Sequence, residues 1–174
     1  MKGLVVVESM FGNSRAIGSA VAQGLAGTID VTVVGIAQAP AVLPEDIDLL
    51  VVGGPTHALG MSRPATRASA REQGAAQPLG IGMREWLTAL PGRPIAAAAF
   101  DTRIPQHFVS GSAARGAARR LRRLGFHLLA PAESFFVTGT AGPLRPGEVE
   151  RARAWGADLA RGLSRSEQRV DRVP

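Results

Sequence analysis

The run Ser9-Met10-Phe11-Gly12-Asn13-Ser14 carries the clearest chemistry in the chain. Ser9, Asn13 and Ser14 supply side-chain donors, and Gly12 allows a tight turn and a close approach of backbone to ligand. A phosphate dianion needs several donors that cost little to organise. The N–H groups that open a helix provide them, in a favourable dipole field. A plain helix N-cap at Ser9 or Asn13 accounts for the same residues without any ligand, and spacing alone leaves both readings open. Two competing phosphate motifs are missing from this turn: the Gly-Lys-Ser/Thr ending of a P-loop and the Gly-x-Gly-x-x-Gly dinucleotide pattern.

Other reactive residues are sparse. The chain has no cysteine, which excludes disulfides, thiolate catalysis and cysteine-held metals. The histidines His57, His107 and His127 are too scattered for a metal-ligand pattern. His107 with Asp101 would form a general acid–base pair, although surface histidines without such a role are commoner. Ser9 and Ser110 lack a hydrolase elbow.

Charge and length set the wider frame. The 174 residues suit one domain, and 45% hydrophobic content suits a packed core. Lysine and arginine total 20 against 14 acids, giving +6, and Lys2 is the only lysine. A positive surface favours anionic partners. Nucleic acid has little support, since no helix-turn-helix, zinc or aromatic RNA motif is present. Arg115, Arg119, Arg122 and Arg123 fall along one helical stripe, either a solvated face or a docking surface for an acidic redox partner or anionic molecule. No apolar run approaches the ~20 residues of a membrane span, and the opening residues lack a signal-peptide pattern. The expectation is a soluble cytoplasmic protein, with a homodimer left open.

The elements that must position these residues alternate. Residues 4–7 form a short β-branched strand, and a helix follows from Ser14 with Ile17, Val21 and Leu25 inward and Gly27 as its stop. Residues 29–36 and 47–52 read as strands, the latter ended by Gly53-Gly54-Pro55. The alanine-rich run 95–100 is a fourth strand, ended by Asp101-Thr102-Arg103, and a helix covers 112–124. Residues 126–129 and 134–137 form a fifth strand broken around Pro131, and Pro146 stands in the first turn of a last helix. Strands alternating with helices predict an α/β, doubly wound three-layer sandwich on a parallel sheet of five strands. Ligands bind such sheets outside the carboxyl ends of the strands. That rule selects residues 8–14, 54–63 and 101–112.

Two segments stand outside the alternation. Residues 63–82 are a long insertion, with Arg63, Arg67 and Arg71 spaced to give one short helix a basic face. It reads as a packed surface excursion rather than a lid. Residues 164–174 are charged, lack an apolar pattern and read as a frayed tail after a single domain over 1–163.

The phosphate turn resembles that of the flavodoxin family, which typically reads Ser/Thr-x-Thr-Gly-x-Thr, with Phe11 matching variants that carry an aromatic at the third place. Gly53-Gly54-Pro55-Thr56-His57 resembles the family's second flavin loop, and Asp101-Thr102-Arg103 with Gly111-Ser112 lies where the third belongs. The resemblance spans residues 2–163 and implies the strand order 2-1-3-4-5 and an FMN cofactor. By resemblance, Ser9, Met10, Phe11, Gly12, Asn13 and Ser14 wrap the FMN phosphate. Pro55, Thr56 and His57 flank the isoalloxazine, and Asp101, Thr102 and Arg103 border its polar edge. The implied role is electron transfer to a redox partner protein or small-molecule acceptor. The alternatives are an FMN-dependent reductase using a nicotinamide donor, and a flavin-free binding or regulatory domain. The family's usual ring-stacking tryptophan and tyrosine are missing: there is no tyrosine, and Trp86 and Trp155 fall in predicted helices. His57 and His107-Phe108 are the nearby aromatic candidates. A basic site of this kind, with Arg63 or Arg103 near the ring, would favour the anionic reduced flavin.

Overall fold

The computed structural model describes residues 1–75, 80–105 and 111–170. Its strands are β1 (Lys2–Val7), β2 (Asp30–Gly35), β3 (Leu49–Pro55), β4 (Ala96–Arg103), β5 (His127–Leu128) and β6 (Glu133–Phe136). Its helices are α1 (Asn13–Leu25), α2 (Pro64–Glu72), α3 (Met83–Ala89), α4 (Ala113–Arg123) and α5 (Glu148–Val170). All pairings are parallel, in the order β2-β1-β3-β4-β5, and β6 also pairs with β4. The expected fifth strand is therefore real and broken. Its halves meet opposite ends of β4, at Ala96 and at Arg103.

Alternation along the central strands divides the core into two layers, because successive side chains leave opposite faces of a sheet. Leu4, Val6, Leu50, Val52, Ala97 and Ala99 meet α3 and α4. Val5, Val7, Leu49, Val51, Ala98 and Phe100 meet α1 and α5. This is the doubly wound three-layer arrangement. The alanines of β4 leave room for large neighbours. Phe100 stacks edge-on with Phe135 and Trp155, ring centroids 6.0 and 6.3 Å away. Trp155 is thus committed to the core, and Trp86 donates its indole N–H to the Pro40 carbonyl at 2.9 Å.

Several boundaries differ from the sequence reading. β3 does not stop before Gly53 but runs through Gly53, Gly54 and Pro55. A Cβ on Gly53 would lie 2.0 Å from Phe100, so glycine here makes room for a ring inside a strand. β4 likewise includes Asp101, Thr102 and Arg103, which pair with β3 and β6. Pro146 lies in a turn two residues before α5. α5 continues through Val170, so the segment read as a frayed tail begins as helix.

The insertion forms α2 and then leads to α3, with Arg67 placed differently from the expectation of a basic face. Arg67 is buried. Its Nη1 donates to Ser62 Oγ at 3.0 Å and to Glu85 Oε2 at 3.1 Å. Ser62 Oγ in turn donates to the buried Glu8 at 2.5 Å, and the Met83 N–H donates to the other Glu8 oxygen at 2.8 Å. A buried carboxylate is tolerable only when so satisfied. Glu8 directly follows β1 and precedes Ser9, so this network ties the insertion to the base of the β1–α1 turn.

Candidate functional site

The strand order reverses between β1 and β3, and the loops beyond their carboxyl ends flank a cleft of about 230 Å³. From the β1–α1 turn come Ser9, Met10, Phe11, Asn13 and Ser14; from the second loop, Pro55, Thr56 and His57; from β4, Thr102 and Arg103. Ten of the expected residues thus share one cleft. Gly12 stands on the outer side of the turn, where a more open cleft of about 500 Å³ lies against the end of β2. That larger cleft is lined mainly by apolar residues and glycines, with Arg15 as its only charged side chain among the described residues.

The turn is tightly held. Gly12 takes φ 90°, a left-handed conformation that costs a non-glycine residue about 1–2 kcal/mol. Ser9 Oγ accepts from the Gly12 N–H at 3.1 Å and the Arg15 N–H at 3.3 Å, which leaves its own proton to donate. Two distant struts fix the turn. Asn13 Nδ2 donates to the Ala141 carbonyl at 3.0 Å, and the Ser14 and Thr102 hydroxyls lie 2.6 Å apart. Met10 is buried against Ala70 and Ala75 with Phe11 beside it, so these two residues offer the site their backbone more than their side chains.

Asp101 departs from its expected place. It does not line the cleft; its side chain is fully buried behind it. Its Oδ2 accepts from Thr56 Oγ at 2.7 Å, Ser112 Oγ at 2.6 Å and the Ala114 N–H at 3.1 Å. The Thr56 hydroxyl accepts from the Ala113 N–H at 2.8 Å. Asp101 therefore fastens the second loop and the start of α4 to β4. Its Oδ1 is buried without a hydrogen-bond partner among the described residues. Arg103 donates from Nη1 to the Gly111 carbonyl at 2.8 Å and is the one charged residue lining the cleft among the described residues.

The second loop is a tight hairpin. His57 and Gly60 exchange backbone hydrogen bonds of 2.8 and 2.9 Å across Ala58 and Leu59. Both central residues have positive φ, 40° and 72°, which side chains rarely adopt. The backbone of Leu59 packs directly on Gly111, where an added Cβ would lie 2.2 Å from Leu59. His57 forms a wall of the cleft, and its Nε2 is buried without a partner. Burial pushes its pKa below the ordinary histidine value; Glu8 opposes this and Arg67 adds to it. The unfolded chain protonates near pH 6.5 and the folded chain only below that. Stability is then intact above about pH 6.5 and falls as the pH drops through and below it, because the unfolded state binds the proton first. A His57→Gln variant should lose less stability than the wild type between about pH 7.5 and 5.5, measured by urea unfolding.

Five further residues complete the cleft: Ala58 and Ile104, inside the selected segments 54–63 and 101–112 though not singled out there, and Val137, Gly139 and Thr140, which sequence reasoning missed. The last three follow β6, so the strand-end rule would have selected them had it been applied to the broken fifth strand. His107, Phe108 and Ser110 lie outside the described residues. Arg63 lies beyond the hairpin, away from this cleft. Arg115, Arg119, Arg122 and Arg123 are all exposed.

No family model matches the chain, and no curated protein matches it. Solved structures do. A flavodoxin from the domain Archaea is 20% identical with TM-score 0.66, over 94% of this chain and 99% of that one. Oxidised Flavodoxin 1 from Bacillus cereus is 18% identical with TM-score 0.67, over 92% and 98%. A flavodoxin, WrbA-like protein from Agrobacterium tumefaciens is 18% identical with TM-score 0.59, over 94% and 98%. At these identities the likeness is one of fold, and the fold is flavodoxin-like. Among the described residues no helix is long and apolar enough to cross a membrane.

Proposed function

We propose that the cleft binds FMN and that the protein transfers electrons through it, to a redox partner protein or a small acceptor. The observation that carries this reading is the turn at residues 9–14. It presents a left-handed Gly12, an α1 start whose N-cap residue offers no side-chain cap and a free serine proton, all at the strand-order reversal. These groups fit a phosphate. The ring end fits differently from the stacked arrangement the family resemblance implies. Pro55, Ile104 and Val137 offer aliphatic walls and His57 an imidazole, while Trp86 and Trp155 are engaged elsewhere.

In this reading Ser9, Gly12, Asn13 and Ser14 hold the phosphate, Pro55, Thr56 and His57 flank the ring, and Thr102 and Arg103 border it. Asp101 holds Thr56 in place from behind. The flavin supplies the redox chemistry when bound. Arg103, the cationic rim residue, favours the reduced anionic form by charge attraction.

The test is a titration of FMN with the purified protein. Flavin fluorescence should quench with a one-to-one end point, and the absorption bands should shift. A colourless protein that leaves FMN fluorescence unchanged would falsify this reading and favour a flavin-free binding domain, which the missing ring-stacking residues support. If FMN binds, direct oxidation of NADH or NADPH would identify the reductase alternative. The basic hollow described next favours that alternative.

A further inference from the structure

Beyond the 57–60 hairpin lies a second hollow of about 230 Å³, on the side away from the proposed flavin cleft. His57 and Ala58 form part of both, so the hairpin is a party wall. Arg63, at the start of α2, Arg84 on α3 and Arg119 on α4 converge on this hollow, and among the described residues no carboxylate lines it. Arg84 is fixed in place: its Nε donates to the Ser62 carbonyl at 3.2 Å and its Nη2 to the Met61 carbonyl at 2.8 Å. Those bonds use two of its five N–H donors. Arg63 and Arg119 are exposed, and their guanidinium groups make no hydrogen bond or ion pair among the described residues.

Three guanidinium groups drawn from three helices around one concavity have unspent charge and unspent donors. Other arginines are engaged, Arg67 and Arg151 with carboxylates and Arg93 and Arg120 with backbone carbonyls, while Arg15, Arg71, Arg115, Arg122 and Arg123 are exposed but do not share a hollow with one another. The neutral hydroxyls at the hollow are already spent. Thr66 Oγ1 exchanges hydrogen bonds with the Arg63 backbone, and Ser112 Oγ donates to Asp101. Recognition therefore falls to the guanidinium forks, which suit a multiply charged oxyanion with several acceptor atoms. The hollow is too small for a polymer and large enough for a phosphate with a modest organic body.

We infer that the hollow between α2, α3, α4 and the 57–60 hairpin binds a small phosphorylated molecule through Arg63, Arg84 and Arg119. The inference does not depend on flavin binding, since none of these arginines lines the first cleft. Because His57 and Ala58 border both spaces, a ligand here sits one hairpin's thickness from the residues assigned to the ring.

Inorganic pyrophosphate is the probe, titrated into the full chain and followed by amide NMR shifts. Saturable shifts at Gly60, Arg63, Thr66 and Gly116 are the expected result. Arg63→Gln with Arg119→Gln should weaken binding at least about tenfold, a loss consistent with charge-assisted contacts. Arg93→Gln, on the Pro44 and Glu45 carbonyls, should leave it unchanged. Arg119→Glu, a single change on an exposed face, should weaken binding further and covers the case of a double variant that folds poorly. The inference fails if shifts are confined to residues 9–15, if they do not saturate, or if the folded variants bind as the wild type does.

Discussion

Gly156→Ala should destabilise the protein by about 1–3 kcal/mol, although alanine is the better helix former by about 1 kcal/mol. The sign comes from the crossing of α1 and α5, which touch through backbone. A Cβ on Gly156 would lie 2.3 Å from the Val21 carbonyl oxygen, and one on Gly24 would lie 2.1 Å from that of Arg153. Carbonyls cannot step aside as a side chain can, so the helices must part. Parting them also loosens Val21, Leu25, Ala152 and Leu159, which share one core layer. Gly162→Ala is the control, because among the described residues its new Cβ would meet only Leu129, at 3.9 Å. It should stabilise by up to about 1 kcal/mol. For a chain of this size each kcal/mol moves Tm by about 2–4 °C, so calorimetry resolves both signs. A Gly156→Ala variant at least as stable as the wild type would mean that the helices do not cross this closely.

Asp101→Ala should cost more, about 3–5 kcal/mol, while Asp101→Asn should cost only about 1–2. Alanine strands the Thr56 and Ser112 hydroxyls and the Ala114 N–H, all of which use Oδ2. A buried donor without an acceptor carries a desolvation cost of about 1–3 kcal/mol. Asparagine keeps one oxygen for these three donors and places its NH₂ where Oδ1 has no partner to lose. The pair of variants thus separates the geometry of the acceptor from its charge. Urea midpoints at constant m-value give both numbers. Equal losses from the two variants would show that the charge, not the acceptor position, holds the second loop to α4.

The architecture was legible because its signals are periodic. Branched apolar runs alternating with four-residue helical repeats specify a doubly wound sheet, and the strand-end rule then names three of the segments that flank the cleft. Boundaries were less legible where a residue serves a partner far along the chain. Gly53 reads as a breaker until Phe100 is seen to occupy the space beside it. Asp101 reads as a loop residue until Thr56 and Ser112 are seen to converge on it. Arg67 reads as surface because its spacing matches Arg63 and Arg71, while Ser62 and Glu85 draw it inward. Val137, Gly139 and Thr140 carry no motif, and only the topology brings them to the cleft.

The two struts on the turn, from Asn13 to Ala141 and from Ser14 to Thr102, bear on the thermodynamics of capture. Fixing a residue's backbone costs about 1–2 kcal/mol of conformational entropy at the moment of ordering. Here folding has already met that cost, since the struts join the turn to β4 and to the segment after β6. On the proposed reading, an arriving phosphate would meet a rigid receptor, and little of its interaction energy would be diverted into ordering the loop. Association should consequently be fast and single-phased, with differences among anions carried by their rates of escape.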